Sequence, residues 1–227
     1  MARKDPITSP AGRALYPKLT EPDTKFKDAG EYSVKLLLPE VDALPILNEC
    51  LEIQKAAIEE EFERVQAEKP KMNPEKIREG IKLGNIPVKP HTDPESGEET
   101  GEYILTFKMV ASGVSRKTGK PWARKPVIFD AKGKPIKNPS SIQIWSGSIL
   151  KVAYITDPFS KPATGVGVTL RLEAVQIIKL VSGGQRDAAG YGFGEEEDGY
   201  SYQEEAEDGS PFVPAIDDED TSGESDF

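Results

Sequence analysis

From Lys108 to Lys161 the chain interleaves cations with flat rings. Lys108 falls on the opposite side of an alternating stretch from Tyr103, Leu105, Phe107 and Met109. Arg116, Lys117, Lys120, Arg124 and Lys125 surround Trp122, and Lys132, Lys134 and Lys137 follow. Lys151 opposes a Leu150/Val152/Tyr154 face, and Phe159-Ser160-Lys161 closes the set. These residue types suit a single-stranded polyanion, because cations follow phosphates while rings stack on bases of any identity. Stacking is worth about 1–3 kcal/mol per base, so two or three rings rival the charge contribution. Each ring also has an ordinary structural use. Phe107 and Tyr32 share faces with aliphatic residues and read as core. Trp122 and Phe159 sit among Lys, Pro and Ser in turns, where there is less core to fill, and are assigned to binding. Tyr154 and Trp145 fit either role.

The charge is split along the chain. Asp187–Phe227 carries fifteen carboxylates and no Lys or Arg, and it finishes on Asp226-Phe227. Residues 1–186 hold all 29 basic residues against the other 24 of the 39 acidic ones, a formal net of +5. A basic body joined to an acidic tail points to a polyanion-binding surface and a segment that competes for it. A tail that only solubilises would have no use for Phe227.

Other chemistry finds little support. No Gly-rich phosphate loop ending in Lys-Ser/Thr is present, and the one His, His91, lies in a Pro-rich loop beside Lys89 and Pro90. Glu59 and Glu63 fall on the solvent side of a helical pattern. One His and one Cys (Cys50) cannot make a structural zinc site unaided. A carboxylate-only Mg²⁺ site among the 39 acidic residues, as in a metal-dependent nuclease, is left open as a third reading, and no metal, cofactor or catalytic residue is assigned. The single cysteine excludes an internal disulfide and suits a reducing compartment. No apolar run approaches the roughly 18–20 residues that span a bilayer, and no secretory signal opens the chain.

The elements that must position the cations read as mainly β with one helical insertion. Residues 1–30 suggest an irregular arm with a short strand near Arg13–Tyr16. Glu31–Leu38 alternates Tyr32, Val34, Leu36 and Leu38 against Ser33, Lys35 and Leu37, which predicts a strand ended by Pro39. Leu44, Leu47, Leu51, Ile58, Phe62 and Val65 then recur at helical spacing. They predict a helix over about 42–68, with Asp42 as N-cap and Pro45 in its first turn. Asn73-Pro74-Glu75 predicts a short second helix to about Gly80, giving an insertion over about 42–80. Residues 84–101 read as loop. Strands are expected at Glu102–Ala111, about 122–129, Ile142–Trp145, Ile149–Ile155 and Val166–Leu180. Gly165 and Gly167 are read as permitting a bulge or coil in the last. Such strands suit a small closed or partly open barrel of about 181 residues, with a disordered acidic tail over 182–227.

In order along the chain, several segments resemble a known family. They are Ala29-Gly-Glu-Tyr-Ser-Val-Lys-Leu-Leu-Leu-Pro39, Phe107-Lys-Met-Val-Ala-Ser112 with Lys117-Thr118, and Val127-Ile-Phe-Asp-Ala-Lys-Gly-Lys134. Gly147-Ser-Ile-Leu-Lys-Val-Ala-Tyr154, Pro158-Phe159, Ala163–Glu173 and the closing Asp226-Phe227 complete the set. Together they resemble the replicative single-stranded DNA-binding proteins of tailed bacteriophages, the type found in the short-tailed coliphage replisome. The resemblance implies an oligonucleotide/oligosaccharide-binding (OB) barrel with a helix inserted after an early strand. It also implies that Lys35, Lys108, Lys117, Tyr154 and Phe159 contact phosphates or stack on bases.

With the cations read above, the expected DNA-binding set is Lys35, Lys108, Arg116, Lys117, Lys120, Trp122, Arg124, Lys151, Tyr154, Phe159 and Lys161. The expectation is a non-enzymatic, sequence-independent single-stranded DNA-binding protein of replication and recombination, acting in the cytoplasm of an infected bacterium. Its tail would compete with DNA and, through Asp226 and Phe227, recruit a phage DNA polymerase and helicase-primase. No membrane contact is expected, and a homodimer is left open. The alternative is an acidic-tailed scaffold whose barrel binds RNA or protein.

Overall fold

The computed structural model describes residues 5–25, 27–115 and 117–181. Arg116 and the whole expected tail, with Asp226 and Phe227, lie outside the described residues.

Glu31–Pro39 (β3) forms as its alternation predicts. Tyr32, Val34, Leu36 and Leu38 turn inward, the last three fully buried. Before it come Ile7–Thr8 (β1) and Gly12–Asp23 (β2). The short strand expected near Arg13–Tyr16 in an otherwise irregular arm is thus part of a twelve-residue strand. Pro17 and Pro22 hid the rest, since proline cannot donate to a ladder. The pairing with β3 accommodates them by shifting register between Leu15 and Lys18 and again before Asp23.

The inserted helix, α1, spans Glu40–Glu68 and begins two residues earlier than expected. Pro39 occupies the N-cap without a side-chain hydrogen bond, so Asp42 lies inside the first turn and Pro45 in the second. The buried stripe is Ala43, Ile46, Cys50, Gln54 and Ala57, not the row of large side chains read from the sequence. Small residues let the helix approach the barrel closely, while Leu44, Leu47, Ile58 and Phe62 flank the contact half-buried and Leu51 is exposed. Gln54 anchors it, its Nε2 donating to the carbonyls of Gly84 (3.1 Å) and Val166 (2.9 Å). Burial in this contact, with Glu49 adding to it, pushes the Cys50 thiol up to about 12 and leaves it unreactive. The second helix, α2, runs Pro74–Gly80, and Asn73 Oδ1 accepts from Glu75 N at 2.9 Å as the cap signal predicts.

Val88–Thr92 (β4) corrects the expected loop. Among the described strands it pairs only with Glu99–Val110 (β5), and such an edge tolerates Pro90. Ser112–Val114 (β6) and Pro121–Ala123 (β7) make a separate two-stranded hairpin. The single strand expected over 122–129 is therefore two, broken at Arg124-Lys125-Pro126, with Val127–Phe129 (β8) pairing elsewhere. No strand forms at Ile142–Trp145. A 3₁₀ turn at Pro139–Ser141 leads into an extended segment in which Ile144 is buried and Ile142 packs on the core. Alternation there reports burial without a ladder partner. Ile149–Lys161 (β9) runs six residues past its expected end, and Gly165–Lys179 (β10) forms as one long strand. Its register shifts fall between Leu172 and Ala174 and between Ile177 and Lys179, away from Gly165 and Gly167.

Pairing closes on itself in the order β2–β3–β5–β10–β9–β2, with β5–β10 parallel and the other four contacts antiparallel. Five strands closed in this way form the OB barrel, with no free edge in the ring. Leu36, Leu105, Phe107, Leu150, Val152, Leu170 and Leu172 fill it. No described helix is long and apolar enough to cross a membrane.

Candidate nucleic-acid interface

Strand alternation that sends β3 and β5 hydrophobes inward must send their partners outward. Lys35 stands opposite Thr106, and Ser33 opposite Lys108. β4 extends this surface with Lys89, opposite Ile104. The end of β9 brings Phe159 and Lys161 to it, and the turn into β10 adds Thr164. Lys35, Lys89, Lys108, Lys161 and Phe159 thereby line one open cleft of about 870 Å³. In an OB barrel this face, with the loop between the last two strands, is where an oligonucleotide fits.

The cations are not equivalent. Lys108 Nζ lies 2.9 Å from Glu31, which also pairs with Lys27. Burial alone would raise the Glu31 pKa, but hydrogen bonds and charge from Lys27 and Lys108 outweigh it and hold the carboxyl below its ordinary value. A lowered folded-state pKa means these pairs stabilise the fold above the ordinary carboxylate range and are lost as pH falls through the lowered value. At neutral pH Glu31 is therefore ionised and holds Lys108 in an ion pair. Arg171, beside Lys108 on β10, is likewise held by Asp157 and Glu173. Lys35, Lys89 and Lys161 have no carboxylate partner among the described residues. Lys161 instead sits 5.4 Å from the Phe159 ring centroid, and Lys35 sits 5.9 Å from that of Tyr16.

Phe159 is half-buried because its ring rests on a glycine. A Cβ at Gly167, its partner across β9–β10, would stand 2.6 Å from Phe159 Cζ and 2.7 Å from the Asn85 carbonyl. The remaining ring surface looks onto the cleft.

The other expected residues divide. Lys117, Lys120, Trp122 and Arg124 belong to the β6–β7 hairpin, which leaves the end of β5 just beyond Lys108. Trp122 packs on Gly113, where a Cβ would approach Cζ2 to 2.7 Å, and the Arg124 guanidinium lies 4.8 Å from its centroid. Arg124 Nε also donates to the Val110 carbonyl (3.1 Å), fixing that stack to β5. None of these four lines the cleft. Lys151 lies elsewhere again, in a smaller cleft of about 310 Å³ with Thr8, Phe129 and Gln176. Tyr154 is a correction. Only 1% exposed, it packs 5.2 Å from Phe107 inside the barrel and offers no face to a base. Burial first, then the nearby Glu49 and Cys50, raises its hydroxyl to about 12. Lys89 was missed because Pro87 and Pro90 made β4 read as loop, although Val88 and Lys89 already alternate inward and outward.

The family described as "Single-stranded DNA-binding protein, Bacteriophage T7" matches residues 12–180. Among solved structures, the chain is similar to gp2.5, a single-stranded DNA-binding protein encoded by bacteriophage T7. The TM-score is 0.63 at 26% identity, covering 79% of this chain and 94% of that one. It is more distantly similar to the single-stranded DNA-binding protein from bacteriophage Enc34 in a C-terminally truncated form, with TM-score 0.48, 17% identity and coverage of 78% and 87%. The Enc34 protein in complex with single-stranded DNA gives 0.49, 16%, 79% and 90%. No curated protein matches the chain.

Proposed function

Because the chain belongs to the bacteriophage T7 single-stranded DNA-binding protein family, a non-enzymatic class, we propose that its barrel holds single strands in the cleft between β3–β5 and the β9–β10 turn. The observation that carries this is three lysines without a carboxylate partner among the described residues, Lys35, Lys89 and Lys161, grouped around an accessible ring that a glycine holds in place. The lysines take phosphates and Phe159 stacks on a base, neither reading base identity. Lys108 joins once a phosphate displaces Glu31. The Trp122–Arg124 hairpin, with Lys117 and Lys120, adds a second basic surface where β5 ends, and Lys151 is peripheral. Titrating the protein with oligo-dT and with a duplex of equal length tests the reading. Clear preference for the single strand is expected, and equal affinity would favour a general polyanion or protein scaffold.

Glu31 yields a specific expectation. Glu31→Gln removes the competitor for Lys108, so oligo-dT affinity at low salt should rise. The slope of log K against log salt should steepen by about 0.7, one further phosphate contact on a single strand. An unchanged slope would place Lys108 outside the DNA path.

The segment Asp187–Phe227 supplies the regulatory half. Its fifteen carboxylates make it a tethered competitor for the lysine cleft, with the tether keeping its local concentration high. Displaced by DNA, it docks through Asp226 and Phe227 on replication partners with basic patches and an apolar recess, such as the phage DNA polymerase and helicase-primase. The protein so described acts in replication and recombination in the cytoplasm of an infected bacterium.

A further inference from the structure

Tyr16 has the one positive φ, +49°, among described non-glycine residues. Pro17 follows, and a proline disfavours helical backbone in the residue before it. A bulky side chain in this left-handed region is strained and persists only where its surroundings hold it. Here they do. Tyr16 N donates to Ser146 Oγ at 2.9 Å, Gly147 N donates to the Ala14 carbonyl at 2.9 Å, and Ala14 N donates to the Ser148 carbonyl at 2.8 Å. The result is a ring that fills no core, being 74% exposed. On its inner side it meets Lys35, which lines the cleft.

Trp145 directly precedes Ser146 and is itself 50% exposed. Its indole Nε1 donates to Gln143 Oε1 (3.2 Å), and its backbone N to the Val181 carbonyl (3.0 Å). Two exposed rings are therefore pinned to the same pair of joined segments, 14–16 and 145–148, at the β2 border of the cleft. Tyr16 and Trp145 carry polar tips and apolar faces, the profile of rings that stack on bases at a wet surface. Lys35 supplies the cation where the two regions meet.

We propose that Tyr16 and Trp145 form a second stacking station, outside the cleft, which receives the bases of a single strand leaving past Lys35. The station rests on the cleft reading and extends it: the strand crosses from β5 over β3 to β2, so only oligonucleotides longer than the cleft reach it.

The test compares oligo-dT of about five and about sixteen nucleotides, lengths that span the range one OB barrel covers. The full chain is used. Tyr16→Asn removes the ring while tolerating positive φ, and thermal melting confirms that the fold is kept. Tyr16→Asn and Trp145→Ala should each weaken binding of the long oligonucleotide about fivefold or more and leave the short one unchanged. Tyr16→Phe should bind both like the parent. Fluorescence quenching by the long oligonucleotide should lose its Trp145 component in Trp145→Phe. Parent-like binding of the long oligonucleotide by both ring-deleted variants would overturn the station. So would equal loss for both lengths, which would mean that Tyr16 acts only through Lys35 in the cleft. Failure of the unaltered protein to bind either length would overturn the cleft reading itself.

Discussion

Replacing Lys35, Lys89 and Lys161 together by alanine should lower the slope of log K against log salt for oligo-dT by about 2. Each phosphate contact on a single strand contributes roughly 0.7 to that slope through counterion release. These three are the cleft lysines without a carboxylate partner among the described residues, so each displaces counterions in full. Between 50 and 200 mM salt the parent should lose roughly twentyfold more affinity than the variant, from the same arithmetic. All three side chains are exposed, so melting should barely change. Lys108→Ala should alter the slope less, since Glu31 already holds that lysine in an ion pair. Phe159→Ala should cost about 1–3 kcal/mol of affinity with an unchanged slope, because stacking releases no counterions. Affinity measured across a salt series separates the two. A triple variant with the parent slope would place the phosphates on another face.

The second large effect concerns the acidic segment. Truncation before residue 190 removes fourteen of its fifteen carboxylates and none of the barrel strands. The truncated protein should bind oligo-dT more tightly at low salt. The advantage should shrink as salt rises, because screening weakens a tethered charge competitor and the phosphate contacts alike. Phe227→Ala should leave DNA affinity nearly unchanged while weakening capture by replication partners, since the ring adds no charge. Titration of both variants over a salt series checks this. Weaker DNA binding by the truncated chain, or equal binding at every salt, would reduce the segment to a solubiliser or a docking handle.

What the sequence made legible follows from which physical signals were local. The Tyr32/Val34/Leu36/Leu38 alternation and the Asn73-Pro74 cap each fix an element without reference to distant residues, and both formed as read. Lys35, Lys108 and Lys161 were legible for the same reason, as outward cations, and they line one cleft with Phe159, a ring read in a turn that the structure places near the end of β9. β2 beyond the short strand near Arg13–Tyr16, and all of β4, were not legible. Their prolines argue locally against strands, and only pairing to β3 and β5 reveals them. The helix face was misread because contact chose the small residues Ala43, Cys50 and Ala57 over the larger leucines. Tyr154 had a strand-face signal for core and a family signal for stacking, and packing against Phe107 decided it. Lys151 could not be separated from the cleft set by sequence, because which lysines share a cleft depends on barrel closure. Tyr16 carried a warning in the Tyr16-Pro17 pair, but its conformation is imposed from 130 residues away by Ser146.

The central claim, that single strands lie in the cleft against Phe159, is tested most directly by ultraviolet crosslinking of oligo-dT to the full chain, with mapping of the attached peptide. A principal adduct on the segment holding Phe159 and Lys161, lost in Phe159→Ala, is the predicted result. An adduct confined to the surface around Lys151 and Phe129, with none at Phe159, would contradict it.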